Sequence, residues 1–354
     1  MFERSDGITY YVSNSGTGMV SVIDGDSFKI INEIEIGARP LGIVTDKNNN
    51  VYVASDRDSK VAVIQNRNEV KTWIMPNNGN IQVDSGTRTI YVCDGEEITA
   101  YSLETGEKKG SITGFVAADC IKLNKDNKRL FVLDVLENVL NVYDTLEFKL
   151  ISQYKDVGIN PRHFILSDDE KIVYIASRGI YTGVNTGTIS VLELEKGNLT
   201  FIPLPKDSVI TALEKGKDFL FALNQGRHQI EVIDIAKKRK MWSIKTSLYE
   251  PQRICLSANP DYFLVTSRDY WGKGAIDIID ITRRSIRNTL YFGKNSNPFD
   301  VACVRHKSSN LALEAVTICT SKKKDGSYAF QGRILSVSGE DIFFSNISVN
   351  IPDN

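Results

Sequence analysis

One apolar run recurs along this chain with a regularity that few folds accommodate. It reads YYVSN from Tyr10, VYVAS from Val51, IYVCD from Ile90, LFVLD from Leu130, VYIAS from Val173, LFALN from Leu220 and FLVTS from Phe263, with a degenerate VTICT from Val316. Successive copies lie about 40–50 residues apart, the period of a repeat architecture. A second short run follows, often closed by an acid: VSVID ends at Asp24, LNVYD at Asp144, IEVID at Asp234 and IDIID at Asp280. A third, more alternating run comes next (IINEIEI, VKTWIM, KLISQY), and a fourth precedes the next copy (PLGIVTD, DCIKLN, RHFILSD, QRICLSA, DVACVRH).

Each run is short and bounded by Gly, Asn, Asp, Ser or Pro, which is strand chemistry. No segment holds a 3.6-residue period, so little helix is expected. Four strands per unit of about 43 residues make the blade of a β-propeller, and inner strands covered on both faces account for continuously apolar runs. The expected fold is therefore an all-β propeller of four-stranded antiparallel blades, forming one domain over residues 1–354. From the channel outward we name the strands A (the PLGIVTD type), B (YVSN), C (VSVID) and D (the third run). Eight B–C pairs are visible, so eight blades are expected, with MFERS as a shortened first strand A. Residues 311–354 fit the repeat poorly, which leaves seven blades with extra closing strands as the alternative.

Tyr-Val-Ser-Asn at 11–14, VSVID, and the G-x-x-P entries Gly37–Pro40 and Gly158–Pro161 resemble the YVTN-repeat, or YncE-like, propellers over essentially the whole chain. That resemblance implies a binding scaffold rather than a chemistry. Other propellers that this chain resembles open sugar lactones or eliminate across cyclic esters. A lactonase- or lyase-type enzyme acting on a small anion is therefore the alternative, with Arg162 holding the anion and His163 as general base.

Composition removes several classes. The 43 Lys+Arg against 44 Asp+Glu give no basic excess for a nucleic-acid partner. No run of 18 apolar residues is present to span a membrane, and MFERSDGITYYV does not read as a signal peptide. The five cysteines form no CxxC pair and sit in apolar runs, which fits small buried hydrophobes in a reducing, cytoplasmic compartment. There is no GxSxG, P-loop or HExxH, and only three histidines occur. No catalytic residue, metal or cofactor is assigned, and a monomer is expected.

The A–B and C–D turns (DKNNN, NKDN, AKKRK) read as a solvated face. The B–C loops and D–A entries on the other face differ. They gather Arg39, Arg162, Arg178, Arg253 and Arg268 with His163, Tyr181, Tyr270 and Trp271. Guanidinium forks and amphipathic aromatics anchor ligands and partners, so these nine residues are the candidate site for a small anionic ligand or a protein. Residues that start strand A lie nearest the channel, which puts Arg162, His163, Arg253 and Asp300 on the inner rim. The competing reading pairs the arginines with Asp56, Asp58, Asp94, Asp134, Asp269 and Asp300 in the same loops.

Overall fold

A computed structural model describes residues 7–65, 69–179, 187–306, 316–322, 328–335 and 341–349. Residues Gly7–His306 form one compact unit of seven four-stranded antiparallel sheets. The innermost strands are Pro40–Thr45, Asn80–Asp84, Ala118–Leu123, Pro161–Leu166, Ile210–Lys215, Glu250–Leu256 and Pro298–Arg305. Each packs against the next, and Pro298–Arg305 also packs against Pro40–Thr45, so the ring is closed. One short 3-10 turn, Gln225–Arg227, is the only helical element among the described residues, and no helix is long and apolar enough to cross a membrane.

The blade count corrects the expectation of eight. The blade that holds Ile8–Asn14 takes its strand A from the far end of the sequence: Pro298–Arg305 pairs with it, Thr9 opposite Val304 and Val12 opposite Val301. DVACVRH therefore completes the first blade instead of opening an eighth, and the place given to MFERS is already filled. Such a closure ties the two ends of the propeller by a ladder of backbone hydrogen bonds and gives the first blade its innermost strand. Ser13 reinforces it, donating to the Leu41 carbonyl at 2.5 Å and accepting from the Asp300 amide at 3.0 Å. The VTICT run lies instead in Val316–Lys322, which pairs with Tyr328–Leu335 and then Asp341–Val349 in a three-stranded sheet of a second unit.

Within the blades the repeat has a clear physical basis. Tyr11, Tyr52, Tyr91, Phe131, Tyr174 and Phe221 are all buried and sit at one register position of strand B, each facing a small apolar residue of strand C such as Val22, Val63 or Val232. The acids that close strand C are turn formers. Asp24, Asp144, Asp234 and Asp280 each accept the amide three residues on, at 2.7–2.8 Å. The next residue is left-handed: Phe28, Phe148, Lys238 and Arg284 have φ of 49–56°, and Gly106 and Gly197 hold the same place. A one-residue register shift follows, after a four-residue hairpin loop in which the amides of Asp24 and Asp144 bond the carbonyls of Lys29 and Lys149.

The G-x-x-P entry is also structural. Gly37 and Gly158 have φ of 144° and 145°, and a Cβ there would stand 2.4 Å from Asp58 Oδ2 and 2.0 Å from Ser177 Oγ. Only glycine lets strand D turn into strand A so close to the neighbouring loop.

Candidate functional site

The inner strands surround two connected chambers on the channel axis. The outer one, about 260 Å³, opens on the face of the B–C and D–A loops and is lined by Asp119, Arg162, Arg178, Thr211, Gln225, Gln252, Arg253, Arg268 and Phe299. The inner one, about 180 Å³, is lined by Asn80, Gln82, Cys120, Lys122, His163, Glu214, Cys255 and Asp300, and shares Arg162 and Arg253 with the first. Strand geometry sets this order. Asp119, Arg162, Thr211, Gln252 and Phe299 each follow the residue that enters strand A, and a bulge in the A–B pairing falls there. Two or three residues further in, Gln82, Lys122, Glu214 and Cys255 occupy a single ring. Each is paired with the core position of its own strand B, at Tyr91, Phe131, Phe221 and Leu264.

The arginines differ in how far they are neutralised. Arg162 bonds Asp119 at 3.0 Å through Nη1, while its Nε is buried with no hydrogen-bond partner among the described residues. Arg268 pairs with Glu250 at 2.8 Å, and Arg178 donates to Gln225 Oε1 at 2.8 Å. Arg253 lies over the Phe299 ring, 4.7 Å from its centroid, and donates to the Gln252 carbonyl. No carboxylate reaches salt-bridge distance of Arg253 or Lys122 among the described residues. A half-buried cation without an ion-pair partner is costly unless something anionic completes it.

The titrating groups of the inner chamber are pushed in opposite directions. Burial raises the Glu214 and Asp300 carboxyls above the usual carboxylate range, against the pull of Lys122 and Arg253. Asp300 is held by the Ile43 and Val301 amides, at 3.2 and 2.9 Å. Burial, then the charges of Lys122 and Arg253, hold His163 well below 6.5. Its Nδ1 accepts the Leu213 amide at 3.2 Å, so the neutral ring carries its proton on Nε2. Burial raises the Cys93 thiol to about 12 and the Cys255 thiol well above 9.0, so neither is an activated nucleophile. Cys93 and Cys120 are buried and Cys255 and Cys303 half-buried, all four unpaired.

His163 supplies a pH test. A folded pKa below the unfolded value of about 6.5 means that its stabilising contribution is complete above that pH and is lost as pH falls below it, because the unfolded chain then takes up a proton that the native chain refuses. His163→Gln should therefore lose less stability than the parent between pH 7 and pH 5 in urea titrations. An equal or greater loss would contradict the buried neutral imidazole.

Of the nine expected site residues, Arg162, His163, Arg178, Arg253 and Arg268 meet at the two chambers, and Asp300 joins them. Arg39, Tyr270 and Trp271 do not. Arg39 is exposed, held in the left-handed region with φ 62°, and forms a two-pronged pair with Asp56 away from the chambers. Tyr270 and Trp271 are 70% and 71% exposed and line neither chamber. They form a surface cluster with Tyr249, which stacks on Tyr270 at 6.2 Å. Asp269 caps this loop by accepting the Trp271 and Lys273 amides. Tyr181 lies outside the described residues. Gln82, Lys122 and Glu214 were not anticipated, although a polar residue inside an apolar strand A run was the available signal. Among the described residues, no three His, Cys, Asp or Glu side chains are grouped to hold a metal ion.

No family model matches the chain, and no curated protein matches it in sequence. Solved structures do match in fold. Hydrazine synthase of Kuenenia stuttgartiensis is 15% identical with a TM-score of 0.66, over 80% of this chain and 92% of that one. A functionally unknown protein from Desulfotomaculum acetoxidans is 14% identical with a TM-score of 0.67, over 83% and 98%. The dihydro-heme d1 dehydrogenase NirN is 16% identical with a TM-score of 0.60, over 97% and 74%. The class is thus a seven-bladed β-propeller with propeller-type neighbours. At these identities the likeness speaks for the fold alone.

Proposed function

We propose that this chain is a YncE-like propeller that binds a small organic anion at the mouth of its central channel. The observation that carries the reading is Arg253, which stands between both chambers with an aromatic ring beneath it and no carboxylate at salt-bridge distance among the described residues. Arg162 adds a buried, unpartnered Nε, and Arg178 and Arg268 line the same outer chamber. Forked donors converging on a recess are the usual receptor for a carboxylate or phosphate. The Tyr-Val-Ser-Asn run and the G-x-x-P entries support the YncE-like assignment, although both serve the blade and not the site.

Catalysis on the same anion is the second reading. It is favoured by one observation: a neutral imidazole and a carboxyl with a raised pKa line one chamber, an arrangement suited to proton transfer.

Calorimetric titration with a panel of sodium carboxylates and inorganic phosphate tests the binding reading. At least one anion should bind saturably, and Arg162→Ala combined with Arg253→Ala should weaken it about 100-fold or more, since each charged hydrogen bond contributes about 1.5–3 kcal/mol. The thermal unfolding of the variant should stay cooperative. Equal affinity in parent and double variant would overturn the assignment.

A further inference from the structure

We infer that the anion is an aliphatic carboxylic acid bearing hydroxyl groups along its chain, with the carboxylate on Arg162 and Arg253 and the hydroxylated tail in the inner chamber. This rests on the binding reading above and adds the class of ligand.

The inner chamber is not a second anion site. Lys122 stands in it without an ion-pair partner among the described residues, but Glu214 and Asp300 share the space and would meet any further negative charge. Nor is it an apolar slot, because the ring that faces it carries Gln82, Lys122 and Glu214. What it offers is a mixture of donors and acceptors with bonding capacity left over. The Gln82 amide has both kinds and no partner among the described residues. His163 presents Nε2–H because its Nδ1 is occupied. Glu214 spends one oxygen on the Lys215 amide at 3.0 Å and keeps the other. A hydroxyl both donates and accepts, so it satisfies such a wall where a methylene, a carboxylate or an ammonium does not. At about 180 Å³ the chamber far exceeds the roughly 10–15 Å³ that one water needs, which leaves room for several hydroxyl-bearing carbons. A methylene chain in the same place would leave those polar groups unpaired, and that penalty makes hydroxyl-binding sites selective.

Three six-carbon sodium salts separate the possibilities when titrated into the full chain by calorimetry: gluconate, hexanoate and adipate. Gluconate should bind at least about tenfold more tightly than either of the others, one net hydrogen bond being worth about that factor. Gln82→Leu, which breaks no observed bond, should narrow the gluconate-to-hexanoate ratio by about tenfold. Hexanoate binding as well as gluconate would overturn the hydroxyl inference and leave the anion site standing. Adipate binding best would also overturn it, in favour of a second anion. If none of the three binds and the wider panel of anions also fails, the anion reading itself falls.

Discussion

Replacing Phe221 with alanine should lower the free energy of unfolding by about 3–5 kcal/mol, the usual cost of emptying a buried phenylalanine site. The ring is 2% exposed and tilts against Phe263 at a centroid distance of 4.5 Å. It belongs to a cluster that joins two blades, including Leu223 and Val232 from its own and Ile254 and Val265 from the next. Neighbours drawn from two separate sheets cannot easily collapse into the cavity, so the cost should fall at the upper end of that range. A domain is stable by about 5–15 kcal/mol, so the variant should unfold at a visibly lower denaturant concentration. A change within the scatter of surface substitutions, about 0.5 kcal/mol, would mean that the register assigned to strand B is wrong.

A still larger effect should follow from removing the closing strand. A chain ending at His306 keeps all seven strands of the inner ring, and should retain a cooperative unfolding transition. A chain ending at Asn297 loses Pro298–Arg305 and with it the buried Val301 and Val304. Burial of each such side chain is worth about 1.5–3 kcal/mol, and the amides and carbonyls of Ile8–Asn14 that faced the lost strand would be left unpaired. Those losses approach the whole stability of a domain, so the shorter chain should show no cooperative transition by circular dichroism. If both truncated chains melt alike, the ring is not closed in the way described.

Fold class was legible because the blades repeat much of the same chemistry: a buried aromatic at one position of strand B in six blades, an acid at most strand C turns, and a G-x-x-P entry to strand A in two. Blade number was not. Repeats are counted along the chain, whereas the ring closes by joining residues 8–14 to residues 298–305, and nothing in a linear pattern marks DVACVRH as the partner of ITYYVSN. The rim arginines were legible for a related reason. Position relative to the entry proline decides which residue reaches the channel, and Arg162 and Arg253 can be placed by counting from Pro161 and Pro251. Arg39 breaks the pattern because it precedes its proline, and there the backbone turns left-handed and sends the side chain to Asp56. The inner polar ring escaped notice because Gln82, Lys122 and Glu214 come from three different blades. Their common register appears only once each is matched to its own strand B.

The most direct test of the account is a crystal structure of the protein grown with whichever carboxylate binds most tightly in solution. We predict the carboxylate oxygens within hydrogen-bond distance of Arg253 and Arg162, over the Phe299 side of the channel mouth, with the rest of the molecule pointing toward Lys122 and Glu214. A saturating ligand found on the lysine-rich opposite face, or on the Tyr249–Trp271 surface with both chambers holding only water, would contradict it.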